Sequence, residues 1–258
     1  MGKSMDKAKP DATDKASHKI YKVADKAMDK TEKMAEKFAD KMDKAKPGAE
    51  DEIFAKFDER TDKVFDKFET KVVRIVHKVD PNASEDQDAA WSLYQSGASA
   101  TGENTFTQVE TAGNMIDHGS VTVAKINMTA TAVAEDGDNL YASADTSIDS
   151  NSDISLLIKF EEGLLESNGV SYDISNVKFI GFKLPESLSS PDGPNNREIV
   201  IEREGDADWD PELEGNTATV IFDVKVLGDN TLASADAYAL AIENALSEST
   251  LAIETAAD

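Results

Sequence analysis

The sequence has 258 residues, no cysteine and a formal net charge of −24, with 51 Asp and Glu against 27 Lys and Arg. Without cysteine, the chain can form neither disulfides nor thiolate metal sites. Nucleic acid is excluded as an expected partner, because phosphate binding needs clustered Lys and Arg. No membrane span is expected either, because no run of apolar residues approaches the roughly 18 that a spanning helix needs.

The charge is divided unequally along the chain, with a break at Pro81. Residues 1–80 contain 20 Lys and Arg against 18 Asp and Glu, whereas residues 81–258 contain 7 against 33. A balanced, Lys-rich segment followed by an acidic block predicts two parts with different roles. We expect a helical arm at 1–80, a linker at 81–104 and an acidic β-sandwich domain at 105–258.

The first part contains an internal duplication. The sequence Met-Asp-Lys-Ala-Lys-Pro at residues 5–10 recurs unchanged at 42–47, and residues 5–43 and 42–80 share 16 identities at that offset of 37. Apolar residues then follow at spacings of three and four, which predicts two amphipathic helices at 12–45 and 50–79. The predicted apolar stripe of the first helix is Ile20, Ala24, Ala27, Thr31, Ala35, Phe38 and Met42. That of the second helix is Phe57, Thr61, Val64, Phe68, Val72, Ile75 and Val79.

The charged residues of the second helix are sorted to opposite flanks of its stripe. At 100° per residue, the acidic flank consists of Asp58, Asp62, Asp66 and Glu69. The basic flank consists of Lys56, Arg60, Lys63, Lys67, Lys71 and Arg74. Three interpretations stay open: a solvated helix with i,i+4 ion pairs, self-association in the manner of a coiled coil, or contact with a lipid or other hydrophobic surface.

After Pro81 the hydrophobic period changes from 3.6 to 2. Strands are predicted at 105–110, 120–129, 140–148, 153–160, 170–183, 197–204 and 217–227, separated by clusters of Asp, Asn, Gly and Ser. The expected fold class is therefore mainly β: a β-sandwich or jelly roll preceded by the two helices. Residues 231–243 alternate Ala with larger residues, which suits either a strand or a helix.

The segment after Lys225 has no basic residue and is rich in Ala, Ser, Thr and Leu. In composition it resembles the uncleaved C-terminal signals of type I secretion substrates. No apolar stretch near Met1 has the character of a signal peptide. We therefore expect an extracellular, cell-surface or virion location reached without an N-terminal signal, with the cytoplasm as the alternative.

One acidic loop has the chemical character of a cation site. Between two predicted strands, five carboxylates recur at every second position, and Ca²⁺ prefers several oxygen ligands. The candidate ligands are Asp206, Asp208, Asp210, Glu212 and Glu214. A solvated acidic loop is the alternative interpretation, and a secondary candidate site is Asp145, Asp149 and Asp153.

No catalytic motif is recognisable in the sequence. The chain lacks G-x-S-x-G, H-E-x-x-H, P-loop and G-x-G-x-x-G patterns. His118 lies beside Asp117 and close to Ser120, but catalytic triads are assembled from positions distant in sequence. An enzyme is not expected.

These features favour a non-enzymatic structural protein that assembles with copies of itself into a surface filament, sheath, surface layer or virion shell. Helices and strand edges would make the subunit contacts. The alternative is a binding module: the helices would tether it to a hydrophobic surface or partner, and the β domain would bind Ca²⁺ or a carbohydrate. Trp91 and Trp209 are the aromatic residues that could stack on a sugar.

Overall fold

The computed structural model describes residues 12–45, 49–79, 89–137, 139–167, 169–190, 193–205, 213–228 and 230–257. It confirms the predicted fold class, since two N-terminal helices precede a mainly β body made of two sheets. The helices are α1 (Ala12–Met42) and α2 (Glu50–Val79). The described strands are β1 (Ala90–Thr101), β2 (Asn104–Asp117), β3 (Thr122–Glu135), β4 (Tyr141–Ser150), β5 (Ile154–Ser167), β6 (Val170–Lys183), β7 (Asn195–Glu204), β8 (Asn216–Leu227), β9 (Leu232–Ile242) and β10 (Leu246–Ala257).

The strands form a four-stranded sheet with the order β4-β1-β10-β9 and a six-stranded sheet with the order β7-β5-β6-β3-β2-β8. Strands β4, β1, β10 and β9 lie over β6, β3, β2 and β8, respectively, which makes a sandwich. Many side chains between the sheets are small, and their hydroxyls pair across the gap. Thr107 lies 2.9 Å from Ser249, and Thr146 lies 2.7 Å from Ser175. Such pairs satisfy buried polar groups that would otherwise destabilise the core.

A strand occupies half of the predicted linker at 81–104. β1 pairs with both β10 and β4, and its residues alternate between buried and more exposed positions. The inward positions, however, are mostly Ala and Ser, so the sequence shows no alternation of hydropathy. The β body therefore starts at Ala90 rather than at residue 105.

Both predicted apolar stripes lie in a core. All seven residues of the first stripe are buried, as are five of the second, while Phe57 and Val79 are partly buried. The two helices pack against each other and against the outer face of the six-stranded sheet. At this interface the rings of Phe68 and Phe182 have centroids 4.5 Å apart. The helices are therefore not a separate arm, because they share one hydrophobic core with the sheet.

The acidic flank of α2 faces basic residues of the six-stranded sheet. Lys178 contacts Asp58 and lies 2.7 Å from Asp62. Lys125 contacts Glu69 and lies 2.9 Å from Asp66. The residues of the basic flank are all exposed. The contacts of the acidic flank with Lys125 and Lys178 therefore fix the orientation of α2 on the six-stranded sheet.

The pKa of Lys125 is raised by these contacts. Burial would lower it, but hydrogen bonds to Glu69 and Asp66 and the charges of both carboxylates outweigh burial. Because the pKa of Lys125 is raised, its contacts with Glu69 and Asp66 stabilise the fold fully at pH values below the ordinary lysine pKa of about 10.4. This stabilisation is lost as the pH rises through the raised pKa.

The first copy of the duplication docks in the same manner on the other side of the helix pair. Arg197 on β7 lies 2.8 Å from Asp29 and 3.3 Å from Glu32 of α1. These two acids are equivalent to Asp66 and Glu69 at the offset of 37. Each copy of the duplication therefore offers the same acidic pair to a different cation of the sheet.

Replacing Lys178 with methionine is expected to lower the free energy of unfolding by about 1–3 kcal/mol, because charged hydrogen bonds are lost and two carboxylates lose their partner. Lys178 is only 8 % exposed, and methionine preserves its apolar stem. Chemical denaturation measures the change. Lys225→Met is the control, since Lys225 is highly exposed and should shift stability by less than about 0.5 kcal/mol. Equal effects of the two substitutions would show that the contact with α2 contributes nothing.

Candidate functional site: two open strand edges

Strands β8 and β9 each end a sheet, and both lie on the same side of the sandwich. We call this side the β8–β9 edge. Among the residues that the structure describes, no strand pairs with the outer side of β8 or β9. An unpaired edge presents a row of free backbone N–H and C=O groups, which makes it a template for another strand.

Exposed apolar side chains concentrate at the β8–β9 edge. Of the nine large hydrophobic residues that are exposed in the described part of the chain, three lie elsewhere. The other six belong to these two strands: Ile221, Phe222, Leu227, Leu232, Tyr238 and Ile242. The strand registers place Leu232, Tyr238 and Ile242 on the outward face of the four-stranded sheet, Ile221 and Leu227 on the outward face of the six-stranded sheet, and Phe222 on the inner face. The edge therefore bears exposed apolar side chains on each of its faces, beyond the single exposed residues that are ordinary on a protein surface.

The inner faces of β8 and β9 are also accessible to solvent. Phe222 is in register with the buried Thr111 of β2 and so shares its inward face, yet it is 49 % exposed. On β9, Ala237 is in register with the core residue Leu251. The five inward residues of β9, all exposed, are Ala233, Ala235, Ala237, Ala239 and Ala241. The interior of the sandwich is therefore open along this side.

The edge strands β7 and β4 carry more charged residues than β9. β7 carries five charged residues in ten and packs against α1. β4 carries Asp145 and Asp149 on its outward face. β9, by contrast, has a single charged residue, Asp236, and no proline. Charge and covering helices hinder edge-to-edge pairing, and within the described residues β9 has only this one charge and no helix packed on it.

The two outer faces of the molecule differ in charge. The lysines of α1 and the basic flank of α2 are exposed on the helical side. The four strands of the opposite sheet contain no Lys or Arg, and Asp145, Asp149, Asp236, Glu248 and Glu254 lie on its outward face. The two helices carry 15 Lys and Arg together with 14 Asp and Glu, whereas the outward face of the four-stranded sheet carries acids alone.

Most of the predicted calcium loop lies outside the described residues. Asp206, Asp208, Asp210 and Glu212 fall there, and Glu214 is the one candidate ligand within the described chain, where it is exposed. The loop stays a prediction.

The secondary candidate site does not form. Asp153 accepts a hydrogen bond from the Leu184 amide at 2.8 Å, and Asp145 lies 3.3 Å from Lys159. Within the described residues, no three acidic or histidine side chains are arranged to hold a metal ion. Asp145 and Asp149 lie on the outward face of β4, whereas Asp153 follows the end of that strand.

His118 contributes to the packing of the helices on the β body. His118 Nε2 lies 3.5 Å from Glu69 Oε1, so this histidine faces α2 rather than Ser120.

A shallow groove of about 450 Å³ crosses the outer face of the four-stranded sheet between Asp145 and Tyr238. Neither helix described here carries an apolar run that could cross a membrane.

Comparison with known proteins adds no relative. A scan against protein-family models, a search of curated proteins and a search of solved structures each gave no match. The β8–β9 edge and the two outer faces are therefore the features from which a function can be inferred.

Proposed function

We propose that this chain is a non-enzymatic structural protein that assembles with copies of itself into a larger extracellular body, such as a surface filament, sheath, surface layer or virion shell. The β8–β9 edge carries the proposal. It combines unpaired backbone groups, six exposed large apolar side chains and an open sandwich interior on one side of the molecule. A strand edge of this kind favours pairing with another chain over remaining in water.

The charged faces support growth beyond one contact. Lysines are exposed on the helical side, and the outward face of the four-stranded sheet carries acids alone, so lysines of one copy can pair with carboxylates of a neighbouring copy. Complementary potentials favour one relative orientation of the partners and weaken in salt. The helices contribute through this charged surface, because their apolar stripes are already buried in the core.

The alternative proposal, a binding module tethered by its helices, has less support. A tether needs a free apolar helix face, whereas Phe68, Val72 and Val76 of α2 are at most 2 % exposed. Trp91 is 39 % exposed on the four-stranded sheet, where it could stack on a sugar, and Trp209 lies outside the described residues. Co-sedimentation with liposomes separates the two proposals, because self-assembly needs no lipid.

The proposal is tested by placing a charge on the edge. Ala237→Lys puts an ammonium group on the inward face of β9, and association of both layers of the sandwich with a second copy would have to bury it. Ala237 is already exposed, so the substitution should leave the melting temperature almost unchanged. We expect light scattering to show weaker association than in the wild type. Ala112→Lys is the matched control, because Ala112 is an exposed alanine on the interior strand β2.

A further inference from the structure

The residue pattern of β9 is compatible with its own copy. Alanine occupies every second position from Ala233 to Ala241, and this pattern is symmetric about Ala237. Large apolar residues, Leu232 and Ile242, stand at both ends. Because its inward face has the same residues in either direction, β9 can pair with an identical antiparallel strand and place alanine opposite alanine on that face.

From this symmetry we propose that two copies of the chain join β9 to β9 in antiparallel register about a two-fold axis at Ala237. The inference rests on the proposed function and names its first contact. Ala237 pairs with Ala237 of the second copy, and Leu232 pairs with Ile242 of the second copy. The four-stranded sheets become one continuous sheet of eight strands.

The faces of the sheet limit the register. In an antiparallel pair, residues directly opposite each other lie on the same face of the sheet. A two-fold axis perpendicular to the sheet must therefore place one residue opposite its own copy. An axis midway between neighbouring residues would place inward residues opposite outward ones. An axis at Ala237 pairs the whole of β9. An axis at Asp236 would put two carboxylates directly opposite each other, which is destabilising. With the axis at Ala237, Asp236 lies opposite Tyr238 of the second copy instead.

The second layer of the sandwich fits the same axis. β9 lies over β8, and the two strands are joined by the short connection between Leu227 and Leu232. Ala237 and Phe222 are equally far along their strands from that connection. The axis therefore passes near the middle of β8, and the exposed, inward-facing Phe222 is brought towards Phe222 of the second copy. Pairing of both β8 and β9 with their copies excludes water from the open interior, whereas pairing of β9 alone would leave the interior accessible to water.

Cysteine substitution tests the register directly, because the chain has no cysteine of its own. Residues opposite each other in antiparallel strands have Cα atoms about 4.5–5.5 Å apart, within the range that a disulfide spans. Under mild oxidation of the full chain, we expect Ala237→Cys to form a disulfide-linked dimer. Leu232→Cys and Ile242→Cys should each stay largely monomeric on non-reducing gels, and an equal mixture of the two should cross-link.

Ala112→Cys is the control for random collision, since Ala112 is exposed on an interior strand. Cross-linking of Ala237→Cys no faster than that of Ala112→Cys, in a protein that still assembles, would overturn the two-fold register and leave the proposed function standing. Absence of assembly in the wild type as well would overturn both. Melting curves of each variant establish that the fold is intact, as expected for substitutions at exposed positions.

Discussion

Replacing Phe182 with alanine is expected to lower the free energy of unfolding by about 3–5 kcal/mol, the usual cost of truncating a buried phenylalanine. Phe182 is fully buried under the helices and contacts Phe68 at a ring separation of 4.5 Å. Truncation would leave a cavity between α2 and the six-stranded sheet. Denaturant unfolding measures the loss, with helical circular dichroism as one of its probes.

Phe222→Ala is the control for this experiment because the same side chain lies in the same sheet but is half exposed. Its truncation should cost less than about 1 kcal/mol, since few packing contacts are lost. Association should respond in the opposite manner: Phe222→Ala weakens it, and Phe182→Ala leaves the β8–β9 edge intact. If the two substitutions destabilise the protein equally, the assignment of Phe182 to a shared core is wrong.

Removing residues 1–80 is expected to make the β body aggregate. The deletion uncovers a contiguous apolar surface that the helices bury, which includes Val123, Ile154, Leu156, Ile158, Phe160, Ile180, Phe182, Ile199 and Ile201. Exposed apolar patches of this kind cause association of soluble domains. Size-exclusion chromatography and binding of a hydrophobic dye should report the change.

A synthetic peptide of residues 12–79, added during refolding, is the control for this deletion. It restores the missing layer without the peptide connection, so we expect it to recover soluble β body. A deletion variant that elutes as a soluble monomer and melts cooperatively at the wild-type temperature would contradict the shared core.

The helices were predictable from the sequence, but their position was not. Spacing of apolar residues located both helices to within about three residues at each end. The same spacing cannot say what covers a stripe, since a partner helix, a sheet and a lipid surface all bury apolar side chains. The decisive contacts join Asp58 to Lys178 and Asp29 to Arg197, residues more than a hundred positions apart. Charge sorting on α2 was visible, whereas its cationic partners are scattered singly over the strands.

The β8–β9 edge was only partly predictable. The alternation of alanine at 231–243 was apparent, but it fitted a helix as well as a strand, because alanine is accepted in both. The antiparallel pairing of this segment with β10 shows that it is a strand. Nothing in the spacing showed that β8 and β9 end different sheets on the same side, because sheet order depends on long-range pairing such as that of β1 with β10. The sequence did not predict β1 because, apart from Tyr94, its inward face is built from Ala and Ser rather than from large apolar residues.

Sedimentation velocity over a wide concentration range tests the central claim, self-assembly through the β8–β9 edge, most directly. The wild type should shift from the 27.9 kDa monomer to larger species as concentration rises, and Ala237→Lys should remain at the monomer under the same conditions. A wild-type chain that sediments as a monomer at the highest concentration, in low and in high salt, would contradict the claim. So would an Ala237→Lys variant that assembles as readily as Ala112→Lys.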